Sequence, residues 1–153
     1  MTQPGCNVDE ILAALERTGR FEAEKNCVQH ASTSVYEHSV HVARVSLKLS
    51  RKLHLPVKER SLVRGALLHD YFLYDWHVPD PSHRLHGFIH AKIALKNART
   101  DFSLNPTEEN IILRHMFPLN PIPPTCLEGW VVCIADKYCA VEEVVRPRFR
   151  SSH

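Results

Sequence analysis

Glycine is scarce in this chain, five among 153 residues, and no segment is dominated by a single residue type, which excludes collagen-like and low-complexity architectures. Long apolar runs are missing as well. Nothing approaches the roughly 18 uninterrupted apolar residues of a membrane-spanning helix. Residues Met1 to Asp9 show no basic start followed by an apolar run, so no secretion signal is expected and the localisation expected is cytoplasmic. Five cysteines (Cys6, Cys27, Cys126, Cys133, Cys139) are an odd number, and no two stand at the short spacing of a zinc knuckle or redox pair; reduced, mostly buried thiols are expected. An excess of one charge is also lacking. Against 17 Asp+Glu stand 19 Lys+Arg, scattered except for a short basic tail from Arg146 to Arg150, so nothing points to a nucleic-acid duplex or a membrane as partner.

What remains is an ordinary globular composition, 44% hydrophobic and 24% charged. A chain of this length forms one domain, residues 1–153, able to bury about 70% of its unfolded surface. One feature departs from the average: 11 histidines, all but one of them between His30 and His115.

Apolar residues recur at three and four rather than at two, which predicts an all-α fold of about six or seven helices. The first spans about Val8 to Arg17, capped by Asn7, with Ile11, Leu12 and Leu15 on one face and Gly19 as its stop. A short second helix is expected over Phe21 to Gln29. The third, about Val35 to Leu53 behind Ser34 as cap, aligns Val35, His38, Val42, Val45, Leu49 and Leu53. Pro56 sets the first turn of a fourth, whose Leu62, Val63, Ala66 and Leu67 lead into His69 and Asp70. From Tyr71 to His83, four aromatics with Pro79 and Pro81 read as an ordered loop or lid. A fifth helix, about Leu85 to Ala98, carries His86 and His90 one turn apart. Asn105 announces a sixth, about Thr107 to Met116, with His115 one turn after Ile111. The last runs from about Leu127 to Val145 with Asp136 inside its apolar sequence, and a frayed basic tail follows over 146–153.

Several helices thus turn ionisable side chains inward: His38, His69 with Asp70, His90 beside His86, His115 and Asp136. Buried singly, each would cost several kcal/mol; divalent metal ions would satisfy them together. Imidazole with carboxylate suits Fe, Mn, Ni or Zn, and five or six ligands exceed one tetrahedral zinc. Two ions could share Asp70 and activate a water between them.

At these residues the sequence resembles the HD-domain superfamily of metal-dependent phosphohydrolases, over about Val35 to Glu143. EHSVHVARVSLKLS is similar to its first histidine helix, RGALLHD to its His-Asp signature and VVCIADKYCA to the helix of its terminal aspartate. HAKIALKNA and NIILRHM are similar to the two histidine helices of the binuclear branch. The resemblance implies that His38, His69, Asp70 and Asp136 hold a first divalent metal, and that His90 and His115 hold a second. His86 would be a further ligand or line the pocket.

Tyr71, Phe72 and Leu73 stand where the family usually has Gly-Lys, which removes one phosphate contact; Lys137, Lys92 and His77 are the candidate replacements. The implied activity is hydrolysis of a phosphomonoester or phosphodiester, a nucleotide among the candidates, by a metal-activated water. Asp70 and Lys137 would assist the chemistry, and the aromatics from Tyr71 to Trp76 would cover the site. The same ligand order also resembles HD-type di-iron oxygenases, and a nucleotide-binding regulatory module is a third reading.

Overall fold

The structure is a computed structural model describing residues 6–17, 28–30, 33–71, 86–118 and 121–145. Six helices make up the fold among these residues: α1 (Val8–Arg17), α2 (Val35–Lys52), α3 (Glu59–Leu68), α4 (His86–Asp101), α5 (Pro106–Arg114) and α6 (Leu127–Val145). The all-α expectation holds, with one small addition. Val28–His30 (β1) pairs antiparallel with Thr33–Ser34 (β2), in register Val28 with Ser34 and His30 with Thr33. Val28 and Gln29 are therefore strand, correcting the end of the expected second helix; the rest of that segment lies outside the described residues.

Local chemistry sets the helix starts. Asn7 Oδ1 accepts the Asp9 N–H at 2.8 Å, and Ser34 Oγ accepts that of Glu37 at 3.1 Å. Asn105 and Glu108 form a reciprocal capping box, each side chain accepting the other's backbone N–H. Pro56, in contrast, stops short of α3, which opens at Glu59 behind an N-cap without side-chain bonding. The Lys58 N–H is instead satisfied across the fold, by Glu128 Oε2 at 2.8 Å. Leu53 does not join the buried stripe of α2; it is its exposed C-cap, and the chain turns away through a left-handed His54.

The packing brings helix ends together. α2 lies against α3 and α6, while α5 lies against α3, α4 and α6. The core between them comprises Val42, Leu62, Leu67, Leu68, Ile111, Ile112 and Val132, all fully buried. The α3–α5 contact is unusually close because Gly65 faces Ile111: a Cβ at position 65 would sit 2.5 Å from Ile111 Cδ1. His69 lies four residues after Gly65 and His115 four after Ile111, so the close approach propagates one turn onward and sets the two histidines side by side. Arg64 locks the same pair of helices, donating to Glu108 Oε1 at 2.7 Å and to the Ser103 carbonyl at 2.9 Å.

Tyr71 belongs to this core rather than to a cover. It is fully buried, donates its hydroxyl to Asp101 Oδ2 at 2.6 Å and packs on Phe102. The remainder of the expected lid, Phe72 to Trp76, lies outside the described residues. Cys133 and Cys139 are buried, and Cys6 and Cys126 are half-buried. No helix among the described residues is long and apolar enough to cross a membrane.

The close contact at Gly65 makes a direct expectation. Gly65→Ala should lower the unfolding free energy by about 1–3 kcal/mol, the usual cost of overpacking, as read from urea denaturation. An unchanged midpoint would show that Ile111 can yield at no cost.

Candidate metal centre

His38 rises from the first turn of α2, His69 and Asp70 follow the end of α3, His115 follows α5, and Asp136 lies mid-way along α6. All three histidines and Asp70 are essentially inaccessible to solvent. Asp136 Oδ1 lies 2.7 Å from His38 Nε2 and 3.1 Å from His69 Nε2. Asp70 divides its two oxygens. Oδ2 faces His69 Nε2 at 3.2 Å and His38 Nε2 at 3.6 Å, and Oδ1 faces His115 Nε2 at 3.3 Å.

Each imidazole is oriented from behind. His69 and His115 are the C-caps of their helices, and each donates Nδ1–H to the carbonyl three residues earlier, Ala66 at 2.6 Å and Ile112 at 2.8 Å. Those carbonyls belong to the last turn, where the regular helical donors run out, and the Ala66 oxygen also takes the His69 backbone N–H at 3.4 Å. One local device is thus used twice, and in both rings it directs Nε2 inward. His38 has no such carbonyl, because it begins a helix. Its Nδ1 is held by the Glu143 carboxylate at 2.8 and 2.9 Å, and Glu143 also meets His41 Nδ1 at 3.1 Å.

The electrostatics follow from these contacts. Burial by itself would depress the His38 imidazole, but the bonds to Asp136 and Glu143 and the nearby Asp70 raise it to about 9. His69 is likewise lifted well above its ordinary value, against its burial, by Asp70 and Asp136. His115 moves the other way, because burial outweighs its contact with Asp70. Bonds from His38 and His69 overcome burial to hold Asp136 well below the usual carboxylate range, and His38 and His41 hold Glu143 at about 2. The cluster is a set of opposed charges that a divalent cation could replace by displacing protons.

The donor set fits such an ion. His38, His69, Asp70 and Asp136 each offer one ligand atom, all four within 4.8 Å of one another. The inward Nε2 atoms and carboxylate oxygens stand 2.7–3.6 Å apart where measured, bracketing the roughly 3 Å expected between adjacent ligands on bonds of about 2.0–2.2 Å. A carboxylate behind a ligating histidine is the usual outer support of such sites.

Five of the residues picked from the sequence are therefore brought together: His38, His69, Asp70, His115 and Asp136. His86 and His90 lie on the first turns of α4, and their side chains are outside the described residues, as is His77. Lys137 is half-buried; its ammonium donates to the His115 carbonyl at 3.0 Å and sits 3.3 Å from Cys133 Sγ. Lys92 is exposed on α4, in a surface cavity of about 400 Å³ with Lys96 and Arg99. Glu143 and His41 escaped the sequence reading. The available signal for Glu143 was a carboxylate seven residues after Asp136, two turns along the same face of an apolar helix.

A comparison with protein families matches the HD domain over residues 35–141. The chain belongs to the HD-domain family. HD domains bind divalent metals and are typically metal-dependent phosphohydrolases. Neither the curated proteins nor the solved structures searched gave a match.

Support of His38 by Glu143 can be measured. Glu143→Ala should weaken divalent-metal binding by about 10–100-fold, read by competition with a chromogenic chelator. Glu143→Gln keeps an acceptor for Nδ1–H and should lose less. Equal affinities for all three proteins would contradict this support.

Proposed function

We propose that this chain, as a single HD domain over residues 1–153, hydrolyses a phosphomonoester or phosphodiester, with nucleotides the first substrates to test. The observation that carries the reading is the convergence of three imidazole Nε2 atoms on two carboxylates, Asp70 buried and Asp136 13% exposed. His38, His69, Asp70 and Asp136 would hold the first divalent ion. Asp70, which turns its second oxygen to His115, would be shared with a second ion held by His115 and His90, with His86 a further ligand or part of the pocket. Ions of the Mn, Fe, Ni or Zn kind supply Lewis-acid polarisation of a phosphoryl oxygen and a water activated near neutral pH.

The protein's own groups do the rest. The bonds that the imidazoles donate to Ala66, Ile112 and Glu143 fix the rings in advance, so little reorganisation accompanies substrate binding. Asp70 aligns the attacking water, or a neighbouring histidine that holds no ion passes a proton to the leaving oxygen, assistance worth about 10²–10⁴-fold. Lys137 places a positive charge next to Asp136 and against the His115 peptide, where it offsets negative charge gathering on the phosphate. Lys92 and His77 are the further candidates for phosphate contact.

Orthophosphate release should be screened over nucleotides and simple aryl phosphates with Mn, Fe, Ni and Zn. His69→Ala combined with Asp70→Ala should reduce turnover to background while circular dichroism shows helicity near that of the parent. Turnover that survives this double substitution would overturn the mechanism, as would oxygen consumption by the iron-loaded protein without phosphate release.

A further inference from the structure

The inner face of α6 carries Asp136 and Glu143, yet its outer face is apolar too. Leu127, Trp130, Ile134, Tyr138, Val141 and Val145 are 37–70% exposed. At 100° per residue these six fall within an arc of about 80°, and Val144, 58% exposed, extends its edge. No charged residue falls within that arc; Lys137, between it and Val144, turns its ammonium to the His115 carbonyl. A helix apolar on both faces is the pattern of an element covered on both sides. The exposed surface of these side chains amounts to several hundred Å², a patch of the size that marks an interaction site. It approaches the roughly 800 Å² that each partner contributes to a standard interface.

We infer that α6 is a dimerisation surface, packing antiparallel against α6 of a second copy of this chain about a two-fold axis level with Asp136. Four of the six stripe residues pair about that level. Leu127 and Val145 each lie nine residues from position 136, and Ile134 and Tyr138 each lie two residues from it, so the two-fold sets each against the other across the interface.

The charges are complementary in the same arrangement. Between α2 and α6 runs a groove of about 320 Å³ in which Ile134 and Tyr138 meet Val45 and Leu49, with Lys48 and Lys52 among the residues lining it. The two helices are antiparallel: His38 near the start of α2 meets Glu143 near the end of α6, while Leu49 and Lys52 near the end of α2 lie beside Ile134. The two-fold brings Glu142 of the second copy, which in its own chain lies 3.6 Å from His41, level with Trp130, about one turn from the Ile134 that shares a groove with Lys52, and brings the negative end of that copy's helix dipole toward the same lysine. The chain's own end is a poorer occupant, since Arg146, Arg148 and Arg150 share the sign of Lys48 and Lys52.

The test is sedimentation equilibrium of the full chain across the micromolar range. The parent should sediment as twice 17.5 kDa, and Ile134→Glu should raise the dimer dissociation constant by roughly thirtyfold or more while its urea midpoint and metal content stay unchanged. Lys52→Glu should weaken the dimer, and adding Glu142→Lys should restore it. A parent that is monomeric throughout overturns the proposal, whether the stripe is then covered by the chain itself or by another protein. A dimer indifferent to Ile134→Glu overturns it equally.

Discussion

Two carboxylates, Asp70 buried and Asp136 13% exposed, set against three buried imidazoles govern how the helices of this fold can meet. Any one of these groups alone in a helical core would cost several kcal/mol; together at mutual distances of 2.7–3.6 Å they neutralise one another. Four helices must end or cross at one point for this to happen, and the devices that arrange it are steric and local. Gly65 admits Ile111 and draws α3 and α5 together, the terminal carbonyls of both helices orient His69 and His115, and Glu143 performs the same service for His38 from the far helix. Stability and site geometry therefore share the same contacts.

α6 joins the two aspects of the molecule. Its inner face supplies a candidate ligand, Asp136, and a supporting carboxylate, Glu143; its outer face exposes the apolar stripe. Lys137 sits between them, tied to the peptide of His115, so the end of α5 and the middle of α6 are held together by a hydrogen bond as well as by packing. Because the two faces are opposite, contacts made on the stripe leave the cluster's own hydrogen bonds untouched.

Much of this was legible in the sequence. The bounds of α1 and α6 follow from Asn7, Arg17 and the run from Leu127 to Val145, because caps and periodicity are local properties. His38, His69, Asp70, His115 and Asp136 were legible for a related reason: an ionisable residue on an apolar helical stripe has nowhere to go but inward. What was not legible depends on partners distant in the chain. Glu143 acquires its meaning from His38, 105 residues away. Tyr71 reads as part of an aromatic loop until Asp101 and Phe102 are seen to receive it. Pro56 is a good helix opener that is not used, since α3 begins where Glu128 satisfies the Lys58 amide.

Elemental metal content of the full chain, purified without chelator and again after reconstitution under oxygen exclusion, decides whether the His–Asp cluster holds metal. About one to two divalent first-row ions per chain are expected, with the content falling sharply when Asp70 is replaced by alanine. Protein that remains metal-free after reconstitution with Mn, Fe, Ni and Zn would show that the His–Asp cluster is a self-neutralising polar core and not a metal centre.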